Sequence, residues 1–196
     1  MTRVLAFAGS ARRDSLNKQL ARVAAQYARD AGAEVTFVDL DDYPMPIYHG
    51  DLESAEGMPA NARKLRELFL AHDALLIASP ENNHSIPSLL KNTIDWLSRS
   101  IGDGKGKMGG LAPFRGKVAA LMAASPGPYG GVRMLPHLRQ VLSGLGVTVV
   151  ASQVALARAH EAFAADSSLQ DPATVKSLKA LAAALVDMAG KLHPAE

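Results

Sequence analysis

Short apolar runs alternate along this chain with longer stretches whose apolar residues recur every third or fourth position. That alternation is the pattern of βα units, and it predicts an α/β protein built on a mostly parallel sheet. Strands are expected at Arg3 to Ala8, Glu34 to Leu40, Ala74 to Ser79, Lys117 to Ala124 and Val147 to Ala151. All but the second are continuously apolar, as strands covered on both faces are. The second carries Glu34, Thr36 and Asp39 among its apolar residues, which places it at an edge.

Helices are expected between the strands. The first puts Leu16, Leu20, Val23, Tyr27 and Ala31 at helical spacing and stops at Gly32. The second runs from about Ala60 to His72, and the third starts near Ser85 with Pro87 in its first turn, burying Leu89 or Leu90, Ile94 and Leu97. The fourth spans Arg133 to Leu145, with Pro136 tolerated in the opening turn, and the last buries Leu178, Leu181, Leu185, Met188 and Leu192. Two connections, Asp39 to Pro59 and Ile101 to Gly116, exceed ordinary loop length. Each reads as a lid, a subunit contact or a mobile segment, with a variable surface insertion as the plain alternative.

Composition narrows the class without naming a chemistry. A chain of 196 residues with no repeat and no linker is expected to form one domain over residues 1–196 with a single large core. A hydrophobic share of 48% with 20% charged residues describes a soluble globular protein. The absence of cysteine excludes disulfides, thiolate nucleophiles and cysteine-ligated metals, and is compatible with a reducing cytoplasm. A net charge of +2, spread along the chain, carries no nucleic-acid footprint, although a slightly basic balance suits phosphorylated ligands. No apolar run nears the roughly 20 residues that span a bilayer, and no cleavable leader is evident, so neither a membrane partner nor processing is expected.

Three polar loops follow apolar runs, at the strand ends where open α/β sheets bind ligands. GSARRDSLN, from Gly9, places Ser10, Arg12, Ser15 and Asn17 between a buried strand and a helix start. Hydroxyls, a guanidinium and free main-chain donors there suit a phosphate monoester: a helix N-terminus favours an anion by about 0.3 to 1 kcal/mol and a charge-assisted hydrogen bond by about 1.5 to 3 kcal/mol. The competing reading is that Ser15 or Asp14 simply caps the helix. Asp14 also opposes an anion unless it points away or is offset by Arg12, Arg13 and Lys18.

The second loop, Pro80 to Ser85, offers amides and a hydroxyl but no nucleophile, base and orienting acid in combination. Such groups suit the edges of a flat heteroaromatic ring. His84 reads equally as an exposed loop residue, and Glu81 as a structural or intersubunit pair. In the third loop, SPGPYGG from Ser125, glycines let the backbone approach a ligand closely, though a tight strand-to-helix turn needs similar residues. Other motifs fail. GDGKGKM lacks the hydroxyl residue and preceding strand of a P-loop and reads as a flexible basic loop, and no dinucleotide fingerprint, hydrolase elbow or zinc-binding H-E-x-x-H is present, so no metal site is expected. Trp96 reads as a packing anchor.

GSARRDSLN, SPENNHSIPSLLKNTIDWLSR and GGVRMLPHLRQVL together resemble the NADPH-dependent FMN reductase family of flavodoxin-like proteins, and within it the chromate and quinone reductase branch. The resemblance covers nearly the whole chain. It implies a three-layer sandwich whose five-stranded parallel sheet has the order 2-1-3-4-5, with helices on both faces. It implies FMN held without a covalent bond: its phosphate by Ser10, Arg12, Ser15 and Asn17, and its ring beside Pro80, Glu81, Asn82, Asn83 and Ser85. Ser125, Gly127 and Gly130 would approach that ring from the far side. NADPH or NADH would deliver hydride to the flavin N5, and a quinone, free flavin, chromate or azo dye would take up the electrons, with no catalytic side chain required. The family's dimers and tetramers imply an interface near Lys91 to Trp96. One departure stands out: the family's PEYN becomes Pro-Glu-Asn-Asn here, and Asn82 in place of tyrosine exchanges aromatic surface for an amide. The alternatives are a flavin-binding electron carrier or regulator with little turnover, against which the lack of a strongly acidic surface counts, and a phosphate-binding module without flavin.

Overall fold

The computed structural model describes residues 1–100 and 106–194. Strands β1 (Arg3–Ala8), β2 (Glu34–Asp39), β3 (Ala74–Ala78), β4 (Val118–Ala124) and β5 (Thr148–Leu156) form one parallel sheet in the order β2-β1-β3-β4-β5. Helices α1 (Leu16–Asp30), α2 (Gly50–Glu56), α3 (Ala60–Ala71), α4 (Ser88–Leu97), α5 (Met134–Gly144) and α6 (Pro172–Leu192) connect or follow them. The strand order reverses between β1 and β3, so the loops after these two strands diverge and leave a crevice.

Alternation along the central strands builds two cores. Val4, Ala6 and Ala8 of β1 with Ala74, Leu76 and Ala78 of β3 face α1 and α6, while Leu5, Phe7, Leu75 and Ile77 face α3, α4 and α5. The first face is lined largely by alanine, and α1 answers with Leu20, Ala21, Ala24, Ala25 and Ala28 as its fully buried stripe. Small residues on both sides bring helix and sheet close. The spacing of large residues therefore misjudges this face: Leu16, Val23 and Tyr27 flank the stripe half-buried, and Ala31 is exposed. On the other face Trp96 is buried as an anchor, its indole N–H donating to Pro46 O at 2.8 Å.

The structure departs from the sequence reading at several ends. β2 stops at Asp39 because its carboxylate accepts from Asp41 N at 3.1 Å and starts a 3-10 turn over Leu40–Asp42. β5 runs on to Leu156 through a register shift opposite Ala119 and Leu121, where Arg139 donates to the carbonyls of Val149, Val150 and Ala151. The third helix begins at Ser88 rather than near Ser85, because Asn82 and Ser85 close a tight turn before it. α6 buries Leu178, Leu181 and Leu185 as expected, together with Ala182 and Ala189, but Met188 is half-buried and Leu192 is 51% exposed. The connection after β2 holds α2, which buries no residue and is fixed by polar contacts, Glu53 accepting from Tyr48 and Arg99. Of the second long connection, residues 101–105 lie outside the described residues, and with them much of GDGKGKM.

Candidate functional site

The crevice at the carboxyl ends of β1, β3 and β4 is a cleft of about 220 Å³. Ser10, Arg12, Ser15 and Asn17 line it from the first loop, Pro80, Glu81 and Asn82 from the second, and Ser125 from the third. Leu16, Ala124 and Pro126 complete it. Pro126 belongs to a turn the sequence already marks; the other two are apolar neighbours with no signal of their own. Asn83, Ser85, Gly127 and Gly130 do not line this cleft.

The first loop leaves β1 through Gly9, whose N–H donates to Ala78 O at 2.9 Å. A Cβ there would stand 3.0 Å from Ser79 Oγ and 3.1 Å from Leu90 Cβ, so a side chain would press on both as the loop passes over β3 and α4. Ser15 caps α1, its Oγ accepting from Lys18 N at 3.3 Å, and its own O–H remains available to donate. The main-chain N–H groups of Leu16 and Asn17, in the opening turn of α1, carry no hydrogen bond among the described residues. Lys18 is buried and paired with Asp39 at 2.7 Å, so its charge is already answered. Asp14 is exposed and lies outside the cleft, which removes the objection that its charge raised. Arg12 makes no ion pair among the described residues and stands as the cleft's free cation.

Asn17 does not offer its amide to the cleft freely. Its Nδ2 donates to Ala124 O at 2.8 Å and its Oδ1 accepts from Ala124 N at 2.9 Å, both buried. The side chain is a clamp between the first and third loops, leaving the main-chain N–H as its open donor. Glu81 is likewise engaged: its carboxylate accepts from Arg133 N at 2.9 Å and Met134 N at 3.2 Å, and pairs with the Arg133 guanidinium at 3.3 Å. It caps α5, in keeping with its reading as a structural pair, and its side chain is not open to the cleft as a free group. Ser85 Oγ lies 2.9 Å from His137 Nδ1. At Gly130 the structure shows a close approach within the chain itself. A Cβ there would come within 2.8 Å of the backbone of Ala155, Leu156 and Ala157, so the close approach that requires glycine is to the end of β5. Gly127 likewise accepts from Arg158 N at 3.1 Å and ties the third loop to the same segment.

One part of the cleft lining thus gathers a free guanidinium, two hydroxyls and two unpaired N–H groups, while Asn82 adds an exposed amide and Pro80 and Pro126 add apolar surface. That donor set fits a ligand with an anionic tail and a flat, polar-edged body, as FMN has. Residues 2–161 match the family described as NADPH-dependent FMN reductase. The chain belongs to the NADPH-dependent FMN reductase family. Among members and relatives, an NAD(P)H-dependent FMN reductase of Pseudomonas aeruginosa is 36% identical over 170 residues, covering 86% of this chain and 85% of its own. A quinone reductase of Escherichia coli is 36% identical over 148 residues, covering 75% of this chain and 72% of its own. Among solved structures, the flavoenzyme NAD(P)H:(acceptor) oxidoreductase FerB of Paracoccus denitrificans superposes with a TM-score of 0.78 at 31% identity, covering 97% of this chain and 98% of that one. The flavodoxin-like architecture and strand order expected of this reductase family are those observed.

Proposed function

We propose that this chain is an FMN-dependent NAD(P)H oxidoreductase whose acceptors are quinones, with free flavin, chromate and azo dyes as further candidates of the same type. The observation that carries the reading is the pairing of Arg12 and the open N–H groups of α1 with the amide-bearing turn at Asn82, all in one cleft. FMN, when bound, supplies hydride acceptance from NADPH or NADH and electron release to the acceptor. The residues supply the rest. Arg12, Ser10 and Ser15 would hold the phosphate with the N–H groups of Leu16 and Asn17. Pro80 and Asn82, with Ser125 and Pro126, would line the ring, and no side-chain acid or base is needed. We place the whole chain, residues 1–196, in one FMN-binding domain acting as a cytoplasmic homodimer or homotetramer. Among the described residues no helix is long and apolar enough to cross a membrane. The exposed face of Lys91 and Asp95, paired at 2.7 Å, is the part of that helix open to a second subunit, since Trp96 is buried.

The test is direct. Protein mixed with FMN and desalted should keep the yellow absorption of bound flavin and should oxidise NADPH or NADH when a quinone is supplied. Retained flavin without turnover would turn the reading towards an electron carrier, and a colourless protein at saturating FMN would end it.

A further inference from the structure

The turn beside the ring end of the cleft is held to α5 at two points. Glu81, at its start, caps the helix through Arg133 N and Met134 N, at 2.9 and 3.2 Å. Ser85, at its end, meets His137 Nδ1 at 2.9 Å. Arg133 and His137 are four residues apart and therefore neighbours along one side of the helix. Between the two anchors, Asn82 and Ser85 exchange main-chain hydrogen bonds of 3.0 Å each, and Asn83 and His84 occupy the left-handed region with φ of 49° and 66°. Asparagine and histidine enter that region more often than other side chains, but two such residues in succession are uncommon, and the conformation persists where its surroundings over-determine it. The two contacts with α5 are those surroundings.

We propose that His137, which does not line the cleft, is a positioning residue for the flavin site: by holding Ser85 it fixes the turn that presents Asn82 to the ligand. The inference rests on the assignment of this cleft to FMN. The bond survives either charge state of the imidazole, since a neutral ring can accept from the Ser85 hydroxyl and an imidazolium can donate to it.

The experiment compares wild type, His137→Ala, His137→Asn, Ser85→Ala and the double alanine variant. Its readouts are FMN dissociation constants from flavin fluorescence quenching, the visible circular dichroism of bound flavin, and the melting temperature of the flavin-free protein. Loss of the imidazole should raise the dissociation constant about 3- to 10-fold and alter the flavin dichroism, with the melting temperature shifted by no more than about 2 °C. His137→Asn, which keeps a polar atom near the position of Nδ1, should restore both flavin readouts, and the double variant should bind no more weakly than Ser85→Ala alone. Unchanged affinity and dichroism in His137→Ala, additive losses in the double variant, or failure of asparagine to restore would each overturn the inference while leaving the FMN assignment standing. Wild-type protein that takes up no FMN would overturn the assignment, and the inference with it.

Discussion

At the amino ends of the strands the charged groups near the core have partners, whereas at the carboxyl ends several strong donors have none. Asp73 accepts from Arg3 N at 2.9 Å and faces its guanidinium at 3.0 Å. Burial pushes the Asp73 carboxyl up, but the Arg3 contacts outweigh it and hold the group below the usual carboxylate range. His72 bridges Leu68 O and the Thr36 hydroxyl, and buried Lys117 donates to His72 O. At the opposite end Arg12, the N–H groups of Leu16 and Asn17, and the amides of Asn82 and Asn83 carry no such bonds among the described residues. Polar groups that are paired within the chain stabilise the fold itself; groups left open stabilise only the complex with a ligand that pairs them. Asn17, like Glu81, is an exception at the carboxyl end, since its amide is satisfied by the chain and also shapes the cleft.

Of the two, Asn17 offers the sharpest cut. Asn17→Ala removes two buried hydrogen bonds and leaves the N–H and carbonyl of Ala124 without partners, so unfolding in urea of the flavin-free protein should show a loss of about 2 to 4 kcal/mol. FMN affinity should fall as well, because the first and third loops are no longer tied. Arg12→Ala should behave differently. Its guanidinium is exposed and unpaired, so stability should stay within about 0.5 kcal/mol while FMN retention weakens by about 1 to 3 kcal/mol in a fluorescence titration. Equal destabilisation by both variants would erase the distinction between paired and waiting groups. Unchanged affinity in Arg12→Ala would take the phosphate role from that residue.

What was legible in the sequence follows from what each signal measures. Apolar runs locate β1, β3 and β4 closely because these strands are covered on both faces; β5 is read only to Ala151 because an edge strand admits Ser152 and Gln153 and bends at a register shift. Helix α2 leaves no apolar period since it buries nothing. The three site loops were visible as polar breaks after apolar runs, and most of their marked residues do meet in one cleft. The division of labour among them was not. Asn17 turns to Ala124, more than a hundred positions away, and Glu81 to the start of α5, and neither partner is set by local spacing. Gly130 shows the same limit: a glycine signals that something comes close, but here the neighbour is the backbone of β5.

The smallest effect tests the amino end, where buried Lys117 donates to a main-chain carbonyl. Burial brings the Lys117 amine down to about 8, with nearby Asp73 opposing the shift and Arg3 adding to it. The unfolded chain keeps its proton to the ordinary value of 10.5, so between about 8 and 10.5 the unfolded state binds more protons than the folded one. This group's contribution to stability must therefore rise with pH across that window. Below it both states are protonated and the cost of burying the charge is present in full; above it the cost is gone. Lys117→Met abolishes the titration, so the unfolding free energy of wild type relative to the variant should climb by about 1 to 2 kcal/mol between pH 7.5 and pH 10 in urea melts. A difference that stays flat would mean that the amine is solvated as on an open surface. The carbonyl of His72 would then not be its decisive partner, and the contrast between the two ends of the sheet would rest on the Arg3–Asp73 pair and His72 alone.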